Sequence, residues 1–576
     1  MQPSGYVADP SGYATYDPDR PALVMARGRQ VITYGALNER SARLARLLSD
    51  RGLVAGDVVA LLAENHPRFM EVLWAAVRSG LYLTAINRYG TAEEIAYILR
   101  DSGACALVTT ATLAATAVPA AREVPGCATR LMIDGVREGA DGGGADGFEA
   151  YEAAIAAVPA ESPARPVLGE LMLYSSGTTG RPKGIKRPLQ ELDGSVPIVA
   201  KGARMCRSLA GMNERSVYLC PAPLYHAAPL GWVRGAHELG ATVVIMEKFD
   251  AREMLEVIER ERVTHLQAVP TMFVRLLKLP EEIRRRYDLS SLQRVLHAGA
   301  PCPVPVKRQI IDWFGPIVTE YYSGTEGAGM TVISSAEWLE RPGSVGRASL
   351  GRIRVCGPDG AELPVGETGS IYFEREDTVF EYHNDAEKTL SARHPEHANW
   401  LSLGDMGYVD EDGYLYLTDR SAFTIISGGV NIYPAEIEAC LTIHPDVEDV
   451  AVFGLPDPEM GEYVQAVVQP VAGAEPTPEL AEQLRAHVRA HLAGPKVPRV
   501  VDFAAELPRL PTGKLYKVPL RQQYLDRLAA EPPAAELPGA EPPAAQAGSP
   551  AAQAGSPAPT EDVKEDHEVE ESGERA

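Results

Sequence analysis

The chain has 576 residues, which is too long for one compact hydrophobic core, so we expect two or three domains. Its composition, 45% hydrophobic and 23% charged, is that of a globular protein, and a formal net charge of −23 argues against nucleic-acid binding, which requires a basic surface. The seven cysteines are scattered and include no CxxC pair, which argues against a disulfide framework or a zinc site and is typical of a reducing compartment.

The N-terminal part of the chain shows no secretory signal, because no basic segment precedes an apolar run there. No apolar run is long enough and free enough of charge to span a bilayer, so we expect a cytoplasmic protein. DVVALLAEN (57–65) and LYLTAIN (81–87) then predict strands, and PRFMEVLWAAVRSG (67–80) between them predicts a helix that ends on glycine.

The same alternation returns at 241–277. ATVVIME and HLQAVP predict strands, DAREMLEVIERER predicts a helix with Asp250 as its N-cap, and PTMFVRLLK predicts a second helix. Alternating strands and helices predict parallel sheets that are covered by helices. Between 341 and 420, PDG and EDG turns separate strand-like segments, which predicts an antiparallel, barrel-like subdomain.

After Arg420 the pattern changes to a smaller α+β unit. PAEIEACLTIH (434–444) and PELAEQLRAHVRAHL (478–492) predict helices, and VEDVAVFG and YVQAVVQP predict strands. The last 46 residues are rich in Pro, Ala and Glu, repeat AAQAGSP twice and hold eleven acids against two bases, which predicts a disordered acidic tail. We therefore expect an α/β fold with a large N-terminal domain of parallel α/β sheets and an antiparallel subdomain at 1–420, a small mobile α+β C-terminal domain at 421–530, and the tail at 531–576.

The stretch SSGTTGRPKG (175–184) follows the apolar LMLY and is too polar to pack in a core. Its glycines allow sharp turns, so that backbone N–H groups, hydroxyls and a lysine can face a phosphate. It is not a P-loop, since Pro182 stands where that motif has its second glycine. Taken alone, the stretch fits a surface loop as well as a phosphate-binding loop.

Six further motifs follow in order: PLYHAAP (223–229), HAGAP (297–301), EYYSGTEG (320–327), WLSLGDMGYVDEDGYLYLTDR (400–420), IISGGVNIYPAEIE (425–438) and LPRLPTGKLYK (507–517). Together these motifs resemble the adenylate-forming (AMP-binding) superfamily over residues 15–525. The superfamily includes acyl-CoA synthetases, aryl-CoA ligases, luciferases and the adenylation domains of peptide synthetases. The pattern is most similar to actinobacterial fatty-acyl-CoA synthetases.

The resemblance implies an ATP-dependent acid–CoA ligase that uses ATP, Mg²⁺ and CoA. The substrate carboxylate attacks the α-phosphorus of ATP to give an acyl-adenylate and pyrophosphate, and CoA then displaces AMP. A carboxylate has a poor leaving group, so activation by AMP is needed before the thiol can attack. In such displacements at phosphorus, positioning and charge neutralisation supply the catalysis.

The resemblance also implies a role for each residue that matches a nucleotide motif. The β- and γ-phosphates would be held by Ser175, Ser176, Gly177, Thr178, Thr179, Gly180 and Lys183. The adenine would lie beside Gly299, Ala300, Pro301, Glu320 and Tyr321. Thr325 would contact the α-phosphate, and Glu326 would bind Mg²⁺, which prefers carboxylate oxygen. Asp405 would accept both ribose hydroxyls, and Arg420 would add a ribose or phosphate contact.

Further matches concern the acid, the acceptor and the moving domain. His226 would border the carboxylate and the acyl pocket, and Trp232 on the segment that follows would bound this pocket. Lys514, in PTGK, would stabilise charge on the α-phosphate during adenylation. Gly428 and Gly429 would line the path of the pantetheine arm of CoA. Ala422 stands where many relatives carry a charged hinge residue, although a hinge needs only a backbone that can change φ and ψ.

The residues leave several points open. The acid can be fatty, aryl or steroid-type. The acceptor can be CoA, the phosphopantetheine of a carrier protein, or an aryl amine that is diazotised after ATP activates nitrite. A non-catalytic binding protein on the same scaffold is disfavoured, because the catalytic lysines and carboxylates are all present. We expect no nucleic acid and no membrane as partners, and the oligomeric state, monomer or homodimer, stays open.

Overall fold

The structure is a computed structural model that describes residues 10–135, 147–162, 167–175, 182–192, 200–376, 380–420, 423–427, 430–509 and 515–530. The chain divides into two units, Met1–Leu525 and Asp526–Ala576. The predicted tail at 531–576 lies outside the described residues, so its disorder stays a prediction. Across the described part of the chain, no helix combines the length and the apolar character needed to cross a membrane.

A six-stranded parallel sheet forms the first α/β layer. In chain order, the first elements of the protein are α1 (Ser11–Tyr16), β1 (Pro21–Met25), β2 (Val31–Thr33), α2 (Tyr34–Asp50), β3 (Val58–Leu62), α3 (Arg68–Ser79), β4 (Tyr82–Ile86), α4 (Ala92–Ser102), β5 (Ala104–Thr110), α5 (Ala114–Arg122), β6 (Thr129–Ile133), β7 (Glu149–Ala150), α6 (Tyr151–Ala156), β8 (Val167–Leu168), β9 (Glu170–Leu171) and β10 (Leu173–Ser175). Of their strands, β1, β2, β8 and β10 belong to other sheets. The sheet order is β7-β6-β5-β3-β4-β9. β3 and β4 are fully buried, and α3 ends at Gly80, whose φ of 71° suits glycine. The predicted strand–helix–strand alternation is confirmed here.

A nine-stranded sheet forms the second α/β layer. The next elements of the chain are β11 (Lys183–Lys186) and β12 (Gln190–Glu191), which lie outside this sheet. They are followed by α7 (Lys201–Ala210), β13 (Val217–Cys220), α8 (Ala227–Glu238), β14 (Thr242–Ile245), α9 (Ala251–Glu261), β15 (His265–Ala268), α10 (Pro270–Leu277), α11 (Glu281–Arg284), β16 (Arg294–His297), α12 (Val304–Phe314), β17 (Val318–Ser323), β18 (Met330–Ser334), α13 (Ser335–Glu340) and β19 (Arg347–Leu350). The order is β19-β18-β17-β16-β15-β13-β14-β1-β2, and the strands from β17 to β1 are parallel. The Asp250 carboxylate accepts from the Glu253 N–H at 2.9 Å, which confirms the predicted N-cap of α9.

The region predicted to be antiparallel is antiparallel. It contains β20 (Arg352–Cys356), β21 (Gly369–Glu374), β22 (Glu381–Tyr382), α14 (Ala386–Ser391), β23 (Trp400–Val409) and β24 (Leu415–Arg420). The four longer strands follow in the order β20-β21-β23-β24, with β20 and β24 at the edges of this sheet. The short β22 instead joins β10 and β11 in a separate antiparallel sheet.

The C-terminal α+β unit contains β25 (Ile425–Ser427), β26 (Val430–Ile432), α15 (Pro434–Thr442), β27 (Val447–Asp457), β28 (Gly461–Pro470), α16 (Pro478–His491), β29 (Val500–Phe503) and α17 (Lys517–Ala530). Its strands follow in the order β26-β25-β28-β27, and β29 pairs with β28. Lys278, which follows α10, reaches this unit and donates to the Val447 carbonyl at 3.0 Å and the Glu448 carboxylate at 2.9 Å. The domain boundary at 420/421 stays a prediction.

Candidate active site

Parallel strands bring the motif-bearing loops to one edge of the nine-stranded sheet. PLYHAAP follows β13, HAGAP spans the end of β16, and the SGTEG loop follows β17. In open parallel sheets, ligands bind beyond the carboxyl ends of the strands. Three motifs that are far apart in sequence are therefore gathered at one place by the topology alone.

The loop that precedes His226 is held by hydrogen bonds from a buried asparagine, Asn65. The Asn65 side-chain amide donates to the carbonyls of Ala222 at 3.0 Å and Met246 at 2.7 Å, and its oxygen accepts from the Leu224 N–H at 2.8 Å. His226 follows this loop as the N-cap residue of α8, and its ring packs on Tyr225 with centroids 4.2 Å apart. Sequence reasoning placed Asn65 only at the end of a strand, so its role in positioning was missed.

A buried ion pair lies beneath the segment predicted to wall the adenine. Gly299 has a φ of 91°, a conformation that suits glycine. Behind it, Lys307 on α12 pairs with Glu320 on β17, and both side chains are almost fully buried. Burial raises the pKa of Glu320 and lowers the pKa of Lys307, and each partner opposes the other's shift. The pair thereby joins α12, which follows this segment, to the strand that precedes the SGTEG loop.

Three consecutive residues of β17, Glu320, Tyr321 and Tyr322, have side chains that contact different partners. The Glu320 side chain is engaged by Lys307, and the Tyr321 hydroxyl is buried between Trp232 and Gln267. Tyr322 instead donates its hydroxyl hydrogen to the Asp405 carboxylate at 2.6 Å. The side chains of Glu320 and Tyr321 are thus turned into the protein, and Tyr322 is the aromatic residue that shares the candidate ribose site with Asp405. Nothing in the sequence distinguishes Tyr322 from Tyr321 for this role, because both are tyrosines of the same strand.

Glu326 is held in place by the short strand β22. Its carboxylate accepts from the Tyr382 hydroxyl at 2.9 Å. A Cβ on Gly324 would lie 2.7 Å from the other Glu326 carboxylate oxygen and 2.6 Å from Leu403, so a side chain there would displace one or both of these groups. The backbone carbonyl of Thr325 accepts a hydrogen bond from the Arg187 guanidinium. The predicted metal carboxylate is therefore oriented by the protein itself.

Lys183 lies on the same small sheet as the residue that orients Glu326. Its ammonium is 3.1 Å from the carboxylate of Asp385, the N-cap of α14. Hydrogen bonding from the Lys388 N–H, and then from Lys183, holds the pKa of Asp385 below its usual range. Since Ile185 of β11 pairs with Tyr382 of β22, one sheet positions both Lys183 and Glu326. Sequence gave no signal for Asp385, which is about two hundred residues from Lys183.

Several predicted site residues are described only in part or not at all. Ser175 and Arg420 are placed by their strands, where Ser175 pairs with Lys183 and Arg420 pairs with Asp405. The remaining phosphate-loop, pantetheine-path and lysine positions lie outside the described residues, namely Ser176, Gly177, Thr178, Thr179, Gly180, Gly428, Gly429 and Lys514. Their roles stay predictions.

The residues that are described fit the groups that ATP and Mg²⁺ present. Asp405 offers a carboxylate acceptor beside an aromatic ring, which suits a ribose, and Lys183 offers a cation for phosphate. Glu326 offers oriented carboxylate oxygen, the ligand type that Mg²⁺ prefers. When bound there, the metal ion would neutralise phosphate charge during adenylation.

Comparison with known proteins identifies the family. The family model described as AMP-binding enzyme matches residues 13–383, and the model for the AMP-binding enzyme C-terminal domain matches residues 436–514. The chain belongs to the AMP-binding enzyme family. The predicted superfamily is thereby confirmed, and the antiparallel and parallel layers described above are its fold.

Both aryl-acid and fatty-acid ligases are among its relatives. A feruloyl-CoA synthase from Amycolatopsis sp is 35% identical over 509 residues, covering 87% of this chain and 96% of the relative. The long-chain-fatty-acid–CoA ligase FadD13 from Mycobacterium tuberculosis is 32% identical over 519 residues, covering 89% and 97%. ATP-bound MatB from Rhodopseudomonas palustris superposes with a TM-score of 0.72 at 29% identity, covering 90% of this chain and 99% of that one.

The protein is therefore an AMP-forming acid–CoA ligase, as the motifs predicted. It converts a carboxylic acid to an acyl-adenylate and then to a CoA thioester, with ATP, Mg²⁺ and CoA as cosubstrates and cofactor. The acid itself is not fixed by these relatives, because they include ligases of both kinds.

Proposed function

We propose that this ligase activates a compact aromatic carboxylic acid that carries a hydroxyl or amino group on its ring. We further propose that the motif-matched residues play the roles given above, with Tyr322 in the place beside the ribose. The observation that carries the choice of acid is a set of buried phenol groups behind His226. A long alkyl chain would leave these groups without a partner.

We place the acyl side of the site at three polar or aromatic side chains that come from three elements. The Trp232 indole N–H on α8 and the Gln267 side-chain amide on β15 both donate to the Tyr321 hydroxyl on β17, each at 3.0 Å. All three side chains are buried. Hydrogen bonds that join three elements resist displacement, because a long chain that pushed Trp232 or Tyr321 aside would leave buried donors unpaired. This arrangement supports a short acyl pocket.

Two further hydroxyls in this region are ready to accept a polar ligand group. Tyr218 is fully buried with its ring against Trp232, centroids 6.4 Å apart, and Tyr225 is buried next to His226. Neither hydroxyl has a hydrogen-bond partner among the described residues. Buried polar groups are nearly always paired in native proteins, so a ring hydroxyl or amino group of the substrate is the natural partner. The feruloyl-CoA synthase relative is consistent with this choice.

The test is a comparison of kcat/KM for thioester formation across matched acids. We expect wild-type enzyme to prefer a para-hydroxylated phenylpropenoic acid to the same acid without the hydroxyl, and to be slowest with hexadecanoic acid. Tyr218→Phe should reduce the preference for the hydroxylated acid by about two- to tenfold, the effect of one neutral hydrogen bond. Tyr416→Phe is the matched control, since its ring stacks on Tyr408 in the antiparallel region.

Trp232→Ala supplies the complementary test, because it removes the largest side chain of the pocket. Its kcat/KM for medium-chain fatty acids should rise by about tenfold or more relative to that for aromatic acids, since each added methylene in a fitting pocket contributes a large factor. Trp232→Phe should give an intermediate ratio. A wild-type enzyme that used hexadecanoic acid better than every aromatic acid would contradict the proposal.

We also propose that the enzyme acts in the cytoplasm. All seven cysteines are free. Free cysteines in this number are typical of proteins in reducing compartments. Its substrates ATP and CoA are consistent with that location.

A further inference from the structure

Two helices of the C-terminal unit bring one cysteine and two histidines together. Cys440 lies on α15, and His487 and His491 lie on α16. The cysteine sulfur and one ring nitrogen from each histidine all lie within 4.8 Å of one another. Thiolate and imidazole are the ligands that Zn²⁺ and related transition-metal ions prefer. The nucleotide motifs use none of these three residues.

Helical periodicity and packing explain why these residues meet. His487 and His491 are four residues apart, so their side chains lie on one face of α16. That face also carries Leu484 and Val488, which are fully buried in one cluster with Ile437 and Leu441 of α15. The apolar contact thus fixes α16 against α15, and it places the two imidazoles over the cysteine at the edge of this core.

Backbone hydrogen bonds fix which nitrogen of each ring is available. His491 Nδ1 lies 2.8 Å from the His487 carbonyl, and His487 Nε2 lies 3.2 Å from the Cys440 carbonyl. A carbonyl only accepts, so each of these nitrogens carries the hydrogen, and the lone pairs are on His491 Nε2 and His487 Nδ1. Metal-binding histidines in proteins are held in this way, with the second ring nitrogen donating to a backbone carbonyl or carboxylate.

We propose that Cys440, His487 and His491 bind a divalent transition-metal ion of the zinc class. On binding, the Cys440 S–H bond breaks, its proton passes to solvent, and the sulfur bonds the metal. Water completes the coordination. His444 lies nearby, with its ring perpendicular to that of His487 and centroids 5.1 Å apart, but its Nδ1 accepts from the Asp446 N–H at 3.3 Å. We assign it as a neighbour and not as a ligand.

A metal ion at this site would fasten two helices of the C-terminal unit to each other. α15 begins directly after β26, and its Glu438 also accepts from Lys517 at the start of α17 at 2.7 Å. Linking α15 to α16 would therefore stiffen the packing of these helices in the C-terminal unit. The expected consequence is a higher melting temperature in the presence of the ion, because the ion binds the folded chain.

The experiment uses the full-length, metal-free protein with Zn²⁺ and Co²⁺ as probes. Wild type should bind Co²⁺ with the thiolate-to-metal charge-transfer absorption of a Co²⁺–sulfur bond, and Zn²⁺ should displace it and raise the melting temperature. Cys440→Ser should lose the charge-transfer band. His491→Ala should weaken Zn²⁺ binding by about tenfold or more. His397→Ala, which removes an exposed histidine from the large domain, is the matched control and should bind as wild type does.

Three outcomes would overturn the proposal. The first is the absence of Co²⁺–thiolate absorption in wild type at micromolar protein and metal. The second is an unchanged band in Cys440→Ser, which would assign the signal to another cysteine. The third is an equal loss of Zn²⁺ affinity in His491→Ala and His397→Ala, which would indicate nonspecific binding by surface histidines. Because each readout is a binding or stability measurement, the result does not depend on which acid the enzyme activates.

Discussion

Replacing Lys514 with alanine is expected to slow adenylate formation by about a hundredfold or more, the effect of removing one group that stabilises transition-state charge. The same variant should form thioester from supplied acyl-adenylate and CoA at nearly the wild-type rate. The reason is that Lys514 matches the lysine that serves only the ATP-facing arrangement of the small domain. This prediction is based on the PTGK motif, because residues 510–514 lie outside the described part of the chain.

The measurement separates the two half-reactions. Pyrophosphate release in a single turnover reports adenylation, and thioester appearance from synthetic adenylate reports the second step. Lys496→Ala is the matched control, since it removes a lysine from the same domain that is paired with Glu436 on α15. If both half-reactions fell by the same factor in Lys514→Ala, or if Lys496→Ala lost adenylation equally, the role assigned to Lys514 would be wrong.

Lys307→Met is expected to lower the melting temperature by several degrees or more, which we predict as the largest effect on stability of any single change considered. Lys307 is 0% exposed and its partner Glu320 is 5% exposed, so the substitution leaves a buried carboxylate without its cation. Breaking a buried pair in this way typically costs about 3–5 kcal/mol. Glu320→Gln should be destabilising for the corresponding reason, because it leaves a buried ammonium without its anion.

The two single variants should respond to pH in opposite directions. In Lys307→Met, burial raises the pKa of Glu320, so the folded protein keeps a proton that the unfolded chain releases. Stability is then highest below the ordinary glutamate pKa and falls as pH rises. In Glu320→Gln, burial lowers the pKa of Lys307, so the folded protein releases a proton that the unfolded chain keeps. Stability is then lowest in acid and recovers as pH rises.

Melting curves at several pH values between 5 and 9 test this account. The double variant Lys307→Met with Glu320→Gln should melt closer to wild type than either single variant, because replacing both partners leaves no unpaired charge. Parallel pH profiles for the two single variants, or a double variant whose losses simply add, would show that the pair does not act as one buried unit.

The sequence predicted the fold and the motif loops because both depend on local patterns. Apolar runs such as those of β3 and β4 have the composition of buried parallel strands, and the Asp250 cap and the Gly80 end of α3 follow from backbone chemistry at single positions. The family assignment came from motif order, which also depends on sequence alone. These elements required no knowledge of distant contacts.

Contacts between distant residues could not be predicted in the same way. Asp385 meets Lys183, and Tyr382 meets Glu326, only because β22 joins the hairpin of β10 and β11. Tyr321 and Tyr322 are adjacent residues of the same type, and only the packing of β17 in the folded protein determines which of them contacts Asp405. The missing CxxC pair argued against a zinc site, yet one cysteine and two histidines meet across two helices. Each of these depends on tertiary packing and not on spacing along the chain.

The measurement that tests the central claim most directly follows the fate of the acyl group in wild-type enzyme. The enzyme is incubated with ATP, Mg²⁺ and a hydroxylated aromatic acid, first without CoA and then with it, and the products are identified by mass spectrometry. We predict enzyme-bound acyl-adenylate and pyrophosphate without CoA, and acyl-CoA with AMP on repeated turnover once CoA is added. Adenylate that accumulates without forming a thioester in the presence of CoA, but is consumed by a carrier protein or an amine, would contradict the account.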